Sequence, residues 1–486
     1  MKNYSDTFPS EIPEKEGVSS EWICDFVSEL TKQMPKQVPH GFALIRHGKL
    51  LARGSYAPFD DTTPQMVCSI SKSFTSTAIG FLVQEGRIKT SDRIADYFAD
   101  KLPKNPQKEM LELTIEQMLC MAVGQEDTPV HEKGAKTGDD RILDFFATPI
   151  IHKPGTVFGY NGAVTHTLAA LVNRVTGMDI MDYLNERLFS KLRIKVPPTP
   201  RYEKSGLIWG DSGMRFTWDD IAKLGQFYLN RGVWEGERIL SSEWCDLACA
   251  KHIGTENCAT GLDWQQGYCY QFWRGRYNTY RFCGAYAQFC IVMPDLDALF
   301  VYQSGTDNDK IQWVVPIFYD TIMHKMQKSS EPLPQNTEAY EKMQNTLASL
   351  RVNAIYSEKS QLESAVSQKT FIGSEQNTLT HMKDFSVEFS EEKAIVNVTL
   401  EDNMKITFDS GRKNFCVSDR VYKTSFCHMD ACDDSRYAST FRWEEPNRLI
   451  ITTHLLSSMT IFIIDVTFMR EGVTVTLHTV RGKFDH

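Results

Sequence analysis

Two strand pairs that lie far apart in the sequence constrain the fold of this chain more than any other feature. The first, GFALIRHGKLLARGSY, turns at His47-Gly48, and the second, QFCIVMPDLDALFVYQ, turns at Pro294-Asp295. Between them, apolar residues recur near 114–122, 163–176, 179–190 and 217–230 at a spacing that indicates amphipathic helices. Strands near both ends of a segment with helices between them predict an α+β layer structure.

The composition changes beyond residue 326. The segment MQKSSEPLPQNTEAYEKM is polar and interrupted by proline, as expected of a linker that leads into a short helix near 337–350. Apolar and polar residues then alternate in AIVNVTL, MKITF and VTVTLHTV, which is the period of half-buried strands. We predict a first domain over residues 1–326, a linker with a short helix over 327–350, and a β-rich, barrel- or sandwich-like domain over 351–486.

Charge and hydropathy exclude several partner classes. The formal charge of −9 comes without any concentrated Lys/Arg segment, so we expect no nucleic-acid partner. The apolar window LIITTHLLSSMTIFIIDVTF is long enough to span a bilayer, but it contains His454 and Asp465. Its β-branched residues favour two strands, so we predict no membrane segment. The N-terminus does not resemble a secretory signal, and we expect a cytoplasmic protein.

The cysteines do not form a recognisable ligand or disulfide pattern. All 12 are scattered, without C-x-x-C pairs or regular Cys/His spacing. Such a distribution is typical of reduced, buried thiols. We therefore expect no disulfide framework and no metal site.

The stretch CSISKSF places Ser69 and Lys72 nearly one helical turn apart, just before an apolar helical pattern. Both side chains then project the same way, and burial would keep the lysine amine neutral enough to take the serine proton. The simpler alternative is that Ser69 caps the helix while Lys72 extends to solvent. The same spacing occurs twice more, in predicted solvated hairpin turns, at Ser390/Lys393 and Ser410/Lys413.

Five segments occur in a characteristic order between residues 35 and 326. They read CSISKSFTSTAIGFLVQEGRIKTSDRIADYF, LTIEQMLCMAVGQ, KPGTVFGYNGAVTHTLAALVNRVTG, DSGMRFTWDDIAKLGQFYLNRGVWEGERIL and GAYAQFCIVMPDLD. Together they resemble the serine β-lactamase and penicillin-binding-protein superfamily, in particular its branch of class C-like esterases and 6-aminohexanoate-dimer hydrolases. The resemblance implies an antiparallel sheet flanked by helices, with a helical subdomain.

The resemblance also implies a catalytic constellation. By its motifs, Ser69 is the acylated nucleophile, Lys72 its base, and Tyr160 the residue that shares and relays the proton. A phenol and an ammonium group, each with a free pKa of about 10, exchange a proton readily when packed together away from water. The backbone N–H groups of Ser69 and Ala285 would form the oxyanion hole. Three residues are placed at the substrate: Asn161, Gly284 and Tyr286.

Two departures from the family pattern concern the substrate. The sequence Tyr160-Asn161-Gly162 lacks the polar third residue of the family's Tyr-x-Asn or Tyr-x-Ser motif. Phe282-Cys283 precede Gly284 at the position of the family's Lys-Thr-Gly motif, which removes a cationic anchor for a carboxylate. A literal Lys136-Thr137-Gly138 precedes the tyrosine motif in a polar stretch and is not taken as its equivalent. Both departures favour ester cleavage over lactam or peptide turnover.

We therefore predict a serine hydrolase that cleaves a small-molecule ester or amide through an acyl-enzyme on Ser69, without a metal or organic cofactor. One alternative is a β-lactamase or D-alanyl-D-alanine peptidase. Another is a non-catalytic binding protein that uses this fold or the C-terminal barrel. The sequence does not predict an oligomeric state.

Overall fold

The computed structural model describes residues 8–34, 38–125, 140–197, 199, 205–258, 261–306, 313–329, 331–352, 356–367, 369–372, 382–400, 403, 405–418, 436–470 and 472–480. In this part of the chain, the strands up to residue 306 are β1 (Pro39–Arg46), β2 (Lys49–Ser55), β3 (Gln65–Met66), β4 (Arg215–Phe216), β5 (Val233–Trp234), β6 (Glu237–Arg238), β7 (Trp273–Arg274), β8 (Tyr280–Gly284), β9 (Gln288–Met293) and β10 (Ala298–Ser304).

The helices of the same part are α1 (Ser20–Lys32), α2 (Ser71–Gln84), α3 (Ile94–Tyr97), α4 (Lys108–Leu111), α5 (Ile115–Leu119), α6 (Arg141–Ala147), α7 (Gly162–Thr176), α8 (Ile180–Leu184), α9 (Ser190–Leu192), α10 (Trp218–Leu229), α11 (Ser242–Cys249) and α12 (Val314–Thr321).

A six-stranded sheet with the order β2-β1-β10-β9-β8-β7 lies at the centre of this part, and its neighbouring strands are all antiparallel. The two hairpins predicted from the sequence are the pairs β1–β2 and β9–β10, which meet where β1 pairs with β10. Helix α10 packs against β9 and β10. A Cβ atom on Gly41 of β1 would lie 1.9 Å from the Trp218 ring, so glycine permits this close approach. The predicted α+β architecture is confirmed.

The helices beside the sheet bring distant segments of the sequence together. Helices α2 and α7 pack against each other, and α5 and α6 both pack against α7. The turn just before α2 carries the predicted nucleophile, while the tyrosine motif ends where α7 begins. This packing therefore places the two motifs on one side of the helical layer.

Beyond residue 326, α13 (Thr337–Ala348) and α14 (Glu363–Val366) precede a nine-stranded sheet. Its strands are β11 (Thr370–Ile372), β12 (Met382–Phe389), β13 (Lys393–Leu400), β14 (Lys405–Gly411), β15 (Cys416–Ser418), β16 (Tyr437–Glu445), β17 (Arg448–Leu455), β18 (Ile461–Met469) and β19 (Gly472–Val480). The sheet forms a nearly closed barrel around its own apolar cluster. The predicted β-rich region is confirmed, and the apolar window forms the two strands β17 and β18. The predicted domain boundaries stay a prediction.

The loop between β17 and β18 contacts the first part of the chain. The Met66 N–H donates to the Ser457 carbonyl oxygen at 2.8 Å. Near it, Arg436 Nη1 lies 3.1 Å from Asp60 Oδ2. A turn of the barrel is therefore attached to the segment that leads into α2.

The two further Ser-x-x-Lys pairs differ from each other. Ser390 lies in an exposed turn, where its hydroxyl donates to the Lys393 carbonyl oxygen at 2.8 Å, as predicted. Ser410, however, lies in β14 and is fully buried, and its hydroxyl accepts a 3.0 Å hydrogen bond from Ser439. The prediction of a solvated turn is wrong for Ser410, because the strand continues through this position and points the side chain inward.

Candidate active site

Ser69 lies in a tight turn rather than at a helix cap. Residues Cys68–Ile70 form a single 3₁₀ turn that leads directly into α2, and no side chain caps the helix. Cys68 adopts a left-handed backbone conformation with φ of 48°, which is uncommon for a residue with a Cβ atom and occurs often at functional turns. The simpler interpretation of Ser69 as a helix cap is therefore wrong.

Lys72 is buried beside the serine. Its side chain is 3% exposed, so it does not extend to solvent. Its Nζ atom lies 3.1 Å from Ser69 Oγ and donates at 2.7 Å to the carbonyl oxygen of Asp211. Burial lowers the pKa of Lys72 to about 8; the Asp211 carboxylate opposes this shift and the Arg141 guanidinium adds to it. A neutral amine is thus accessible near physiological pH.

Tyr160 completes a cluster of three polar side chains. The Ser69 side chain acts on the pKa of the Tyr160 hydroxyl, and Lys72 Nζ lies 5.1 Å from the centre of the Tyr160 ring. The ring stacks against Trp273 with 5.7 Å between centroids. Burial raises the pKa of Tyr160 well above that of a free phenol, so its hydroxyl keeps its proton at neutral pH and can act as a donor.

A buried ion pair that the sequence did not reveal lies behind Lys72. Arg141, at the start of α6, holds both carboxylate oxygens of Asp211 at 2.9 and 3.2 Å. The exposed fractions are 6% for Arg141 and 1% for Asp211. The Asp211 carboxylate is 4.0 Å from Lys72 Nζ. Among the described residues, Lys72 in its protonated form, Arg141 and Asp211 therefore bring two cations and one anion into this buried space.

The end of β8 lies against the Ser69 turn, as the predicted oxyanion hole requires. A Cβ atom on Gly284 would lie 2.5 Å from the Val67 carbonyl oxygen and 3.4 Å from Cys68 Cβ. Ala285 follows immediately in the β8–β9 turn. Within the described residues, the N–H groups of Ser69 and Ala285 donate to no backbone carbonyl in turns or loops. Both donors are thus available to a developing oxyanion, and their role stays a prediction.

Asn161 serves the helix that follows it. Its side-chain oxygen accepts from the Ala163 N–H at 2.9 Å, and its amide nitrogen donates to Gln125 at 3.1 Å. Gly162 is the first residue of α7. The amide oxygen of Asn161 is therefore occupied by a helix cap, and the predicted contact between Asn161 and substrate stays untested.

An apolar cluster next to the nucleophile includes a residue of the barrel. Met66, Cys68, Tyr286 and Met459 pack together, with Ala285 at the edge. Tyr286 is 5% exposed and its carbonyl oxygen accepts from Ser304. Met459 lies in the β17–β18 loop, about 390 positions from the nucleophile, and no sequence signal pointed to it. Cys68 has a packing environment, as expected.

Two further predictions concern motifs and cofactors. The literal Lys136-Thr137-Gly138 lies outside the described residues. In the part that the structure describes, no group of three or more His, Cys, Asp and Glu side chains is arranged to hold a metal ion. None of the described helices combines the length and the apolar composition needed to cross a bilayer.

The sequence matches a known family and several characterised proteins. The model of the Beta-lactamase family matches residues 28–310. The 6-aminohexanoate-dimer hydrolase of Paenarthrobacter ureafaciens is 25% identical over 260 residues, which cover 50% of this chain and 66% of that protein. Protein flp of Staphylococcus aureus strain MW2 is 26% identical over 165 residues, 31% of this chain and 33% of that protein. This chain thus spans less than two thirds of each curated relative.

Solved structures share the fold at lower identity. EstCE1, a hydrolase with promiscuous acyltransferase activity, has a TM-score of 0.51 and 15% identity, covering 62% of this chain and 98% of its own. The octameric penicillin-binding protein homologue from Pyrococcus abyssi has a TM-score of 0.50 and 14% identity. It covers 93% of this chain and 100% of its own, so the likeness extends into the barrel.

Proposed function

Because the chain belongs to the Beta-lactamase family, we propose that it is a serine hydrolase that cleaves a small ester or amide through an acyl-enzyme on Ser69. The observation that carries this proposal is the 3.1 Å contact between Lys72 Nζ and Ser69 Oγ in a buried environment. A serine hydroxyl is a weak nucleophile until a base takes its proton, and a lysine serves as base only when its amine is neutral. Burial of Lys72 supplies that condition.

The reaction begins with proton transfer from Ser69 to Lys72. Ser69 Oγ attacks the carbonyl carbon of the substrate, while the neutral amine of Lys72 accepts the hydroxyl proton. The negative charge on the carbonyl oxygen is stabilised by the N–H groups of Ser69 and Ala285. The leaving group then receives a proton from the Lys72 ammonium through the Tyr160 hydroxyl. Lys72 then accepts a proton from a water molecule, which attacks the carbonyl carbon of the acyl group. The proton returns to Ser69 Oγ as the acid product leaves.

Arg141 and Asp211 position the base and set its charge. The Asp211 carbonyl oxygen anchors Lys72 Nζ beside the nucleophile. A lone carboxylate this close would stabilise the ammonium form of Lys72, but Arg141 neutralises it through two hydrogen bonds. The lysine therefore keeps a fixed position without being locked in its protonated state.

Two features support an ester or small amide over a lactam. Gly162 provides no side chain at the position where the family's motif has a polar group. Cys283 likewise provides no cation beside the predicted substrate cleft, whereas a carboxylate-bearing lactam would need one at that position. An ester has a better leaving group than an amide and depends less on such contacts.

A panel of chromogenic substrates tests the proposal. We expect hydrolysis of p-nitrophenyl acetate and butyrate, with kcat/KM falling more than about 10³-fold in Ser69→Ala and in Lys72→Met. Ser390→Ala is the matched control, because Ser390 has the same spacing to a lysine but lies in an exposed turn. Equal activity of Ser69→Ala and the parent chain would exclude this mechanism. Efficient turnover of a chromogenic cephalosporin would instead favour the β-lactamase alternative.

A further inference from the structure

A cavity lies where the first part of the chain meets the barrel. It has a volume of about 240 Å³ and is lined by three hydroxyl side chains, two arginines and two prolines: Thr62, Thr63, Ser457, Arg215, Arg436, Pro64 and Pro197. This junction cavity is distinct from the Ser69, Lys72 and Tyr160 cluster, since it shares no lining residue with that cluster.

Arg215 is the unusual residue of the junction cavity. Its side chain is 4% exposed, and within the described residues its Nε and Nη2 atoms have no hydrogen-bond partner. No carboxylate of these residues lies within ion-pair distance of its guanidinium. A guanidinium stays charged in any protein environment. Burying an unpaired charge is strongly unfavourable, so this side chain lacks the anion that its surroundings require.

The acidic groups nearby already have partners. Asp60 accepts hydrogen bonds from Thr62 and Thr63 and pairs with Arg436 at 3.1 Å. Asp61 pairs with Arg53 at 3.0 Å. The charges of Arg436 and Asp60 offset each other, and the charge of Arg215 is left over. The hydroxyl groups of Thr62 and Thr63 also donate to Asp60. Among the described residues, the junction cavity therefore has a net positive charge, which is carried by Arg215.

The junction cavity is close to the nucleophile along the backbone. Arg215 of β4 pairs with Met66 of β3, and Met66 precedes Ser69 by three positions. Three extended residues span at most about 11 Å. The Met214 carbonyl oxygen also accepts from the Val67 N–H at 3.0 Å, and the Met214 N–H donates to Ser71 Oγ at 3.1 Å. The segment that carries Arg215 is therefore hydrogen-bonded directly to residues on both sides of the Ser69 turn.

We propose that the junction cavity binds an oxyanion group, with Arg215 as its principal ligand. The oxyanion is either a carboxylate at the far end of the hydrolase substrate, as in a dicarboxylic acid monoester, or free inorganic phosphate. The first source rests on the proposed function, while the second does not. A guanidinium binds both groups through two parallel hydrogen bonds.

Thermal unfolding of the full chain in the Ser69→Ala background tests binding without catalysis. We expect inorganic phosphate or glutarate, at about ten times its Kd, to raise the Tm by about 1–3 °C. The Arg215→Met variant should lose this shift. Arg215→Lys keeps the positive charge but not the planar guanidinium that can donate two parallel hydrogen bonds, so it should retain part of the shift. Arg93→Met is the control, because Arg93 is an exposed arginine paired with Asp96. No shift with either anion, or an equal shift in Arg215→Met, would overturn the proposal.

Ester kinetics distinguish the two sources. If the substrate supplies the oxyanion, the ratio of kcat/KM for mono-p-nitrophenyl glutarate to that for p-nitrophenyl butyrate should fall about 10- to 100-fold in Arg215→Met. The change should appear in KM, and phosphate should compete with the glutarate ester. If free phosphate is the ligand, the ratio stays constant while the thermal shift still depends on Arg215. Failure of all ester hydrolysis would reject the proposed function but leave the thermal shift as an independent result.

Discussion

Asp211 contacts Lys72 through its backbone rather than through its carboxylate. The carbonyl oxygen lies 2.7 Å from Lys72 Nζ, whereas the nearer carboxylate oxygen is 4.0 Å away. The carboxylate faces Arg141 instead, at 2.9 and 3.2 Å. Asp211 can therefore fix the position of Lys72 with its backbone while Arg141 neutralises its carboxylate.

Arg141→Met should move the acidic limb of the kcat/KM profile to higher pH. The active form of Lys72 is the neutral amine, so activity rises as pH passes its pKa of about 8. Without Arg141, the Asp211 carboxylate would stabilise the ammonium and raise that pKa, by about one unit. The measurement is a pH–rate profile with p-nitrophenyl butyrate, with Arg231→Met, an exposed ion-paired arginine, as control. An unchanged or lowered midpoint would argue against this role.

Gly284→Ala should impair catalysis more than folding. The new Cβ atom would lie 2.5 Å from the Val67 carbonyl oxygen, so β8 must move away from the Ser69 turn by close to 1 Å. Misplacement of that size costs about 10² in rate, and we expect the loss in kcat. Gly86→Ala is the comparison, because its Cβ atom meets no neighbour within 4 Å. Full activity of Gly284→Ala would show that Ala285 is not the second oxyanion donor.

Met459→Ala should lower both stability and activity. Met459 is 4% exposed and packs on the residues just before Ser69. Truncating a buried methionine costs about 2–5 kcal/mol, and the cavity would loosen the nucleophile turn. Denaturant unfolding and ester kinetics check the two effects, with Met469→Ala as control, since Met469 is 56% exposed. Equal behaviour of the two variants would mean that the barrel loop does not support the site.

Buried histidines at the junction should make stability depend on pH. Burial lowers the pKa of His454 to about 4 and that of His40 to about 3, from 6.5. In the unfolded chain both bind protons below pH 6.5, whereas in the folded chain they stay neutral until about pH 4. Stability therefore falls as pH decreases through this window.

The His454→Leu variant isolates that effect. Between these pKa values, each such histidine lowers the free energy of unfolding by about 1.4 kcal/mol for every unit that the pH falls. Between pH 6 and 4.5, the free energy of unfolding of the variant should therefore fall less steeply than that of the parent chain, by about this amount per pH unit. Urea unfolding at several pH values measures the difference from the parent chain. Parallel stability curves for the two proteins would contradict the neutral, buried state of His454.

The parts of the structure that were predicted from the sequence depend on local patterns. The hairpins at His47-Gly48 and Pro294-Asp295 follow from strand and turn residues that are adjacent in the chain. Ser69 and Lys72 are within one turn of each other, and the position of Tyr160 comes from the family motif. Each of these features depends on residues within one short segment, so it could be predicted from the sequence alone.

The features that were missed depend on tertiary packing. Arg141 and Asp211 are 70 positions apart and meet because α6 and the segment before β4 come together in the folded chain. Met459 reaches the site through the placement of a barrel loop, which no periodic pattern describes. Ser410 was predicted to lie in a solvated hairpin turn, but the pairing of β13 with β14 continues through it. Contacts of this kind depend on how helices, strands and loops pack against each other. They leave no local pattern in a single sequence from which they could be predicted.

Covalent labelling of Ser69 is the most direct test of the central claim. The full chain is treated with a fluorophosphonate probe at pH 8, and the adduct is located by peptide mass spectrometry. We predict one adduct, on Ser69, which is lost in Ser69→Ala, strongly slowed in Lys72→Met and retained in Ser390→Ala. No adduct on Ser69, or labelling that persists unchanged in Ser69→Ala, would contradict the assignment of Ser69 as the nucleophile.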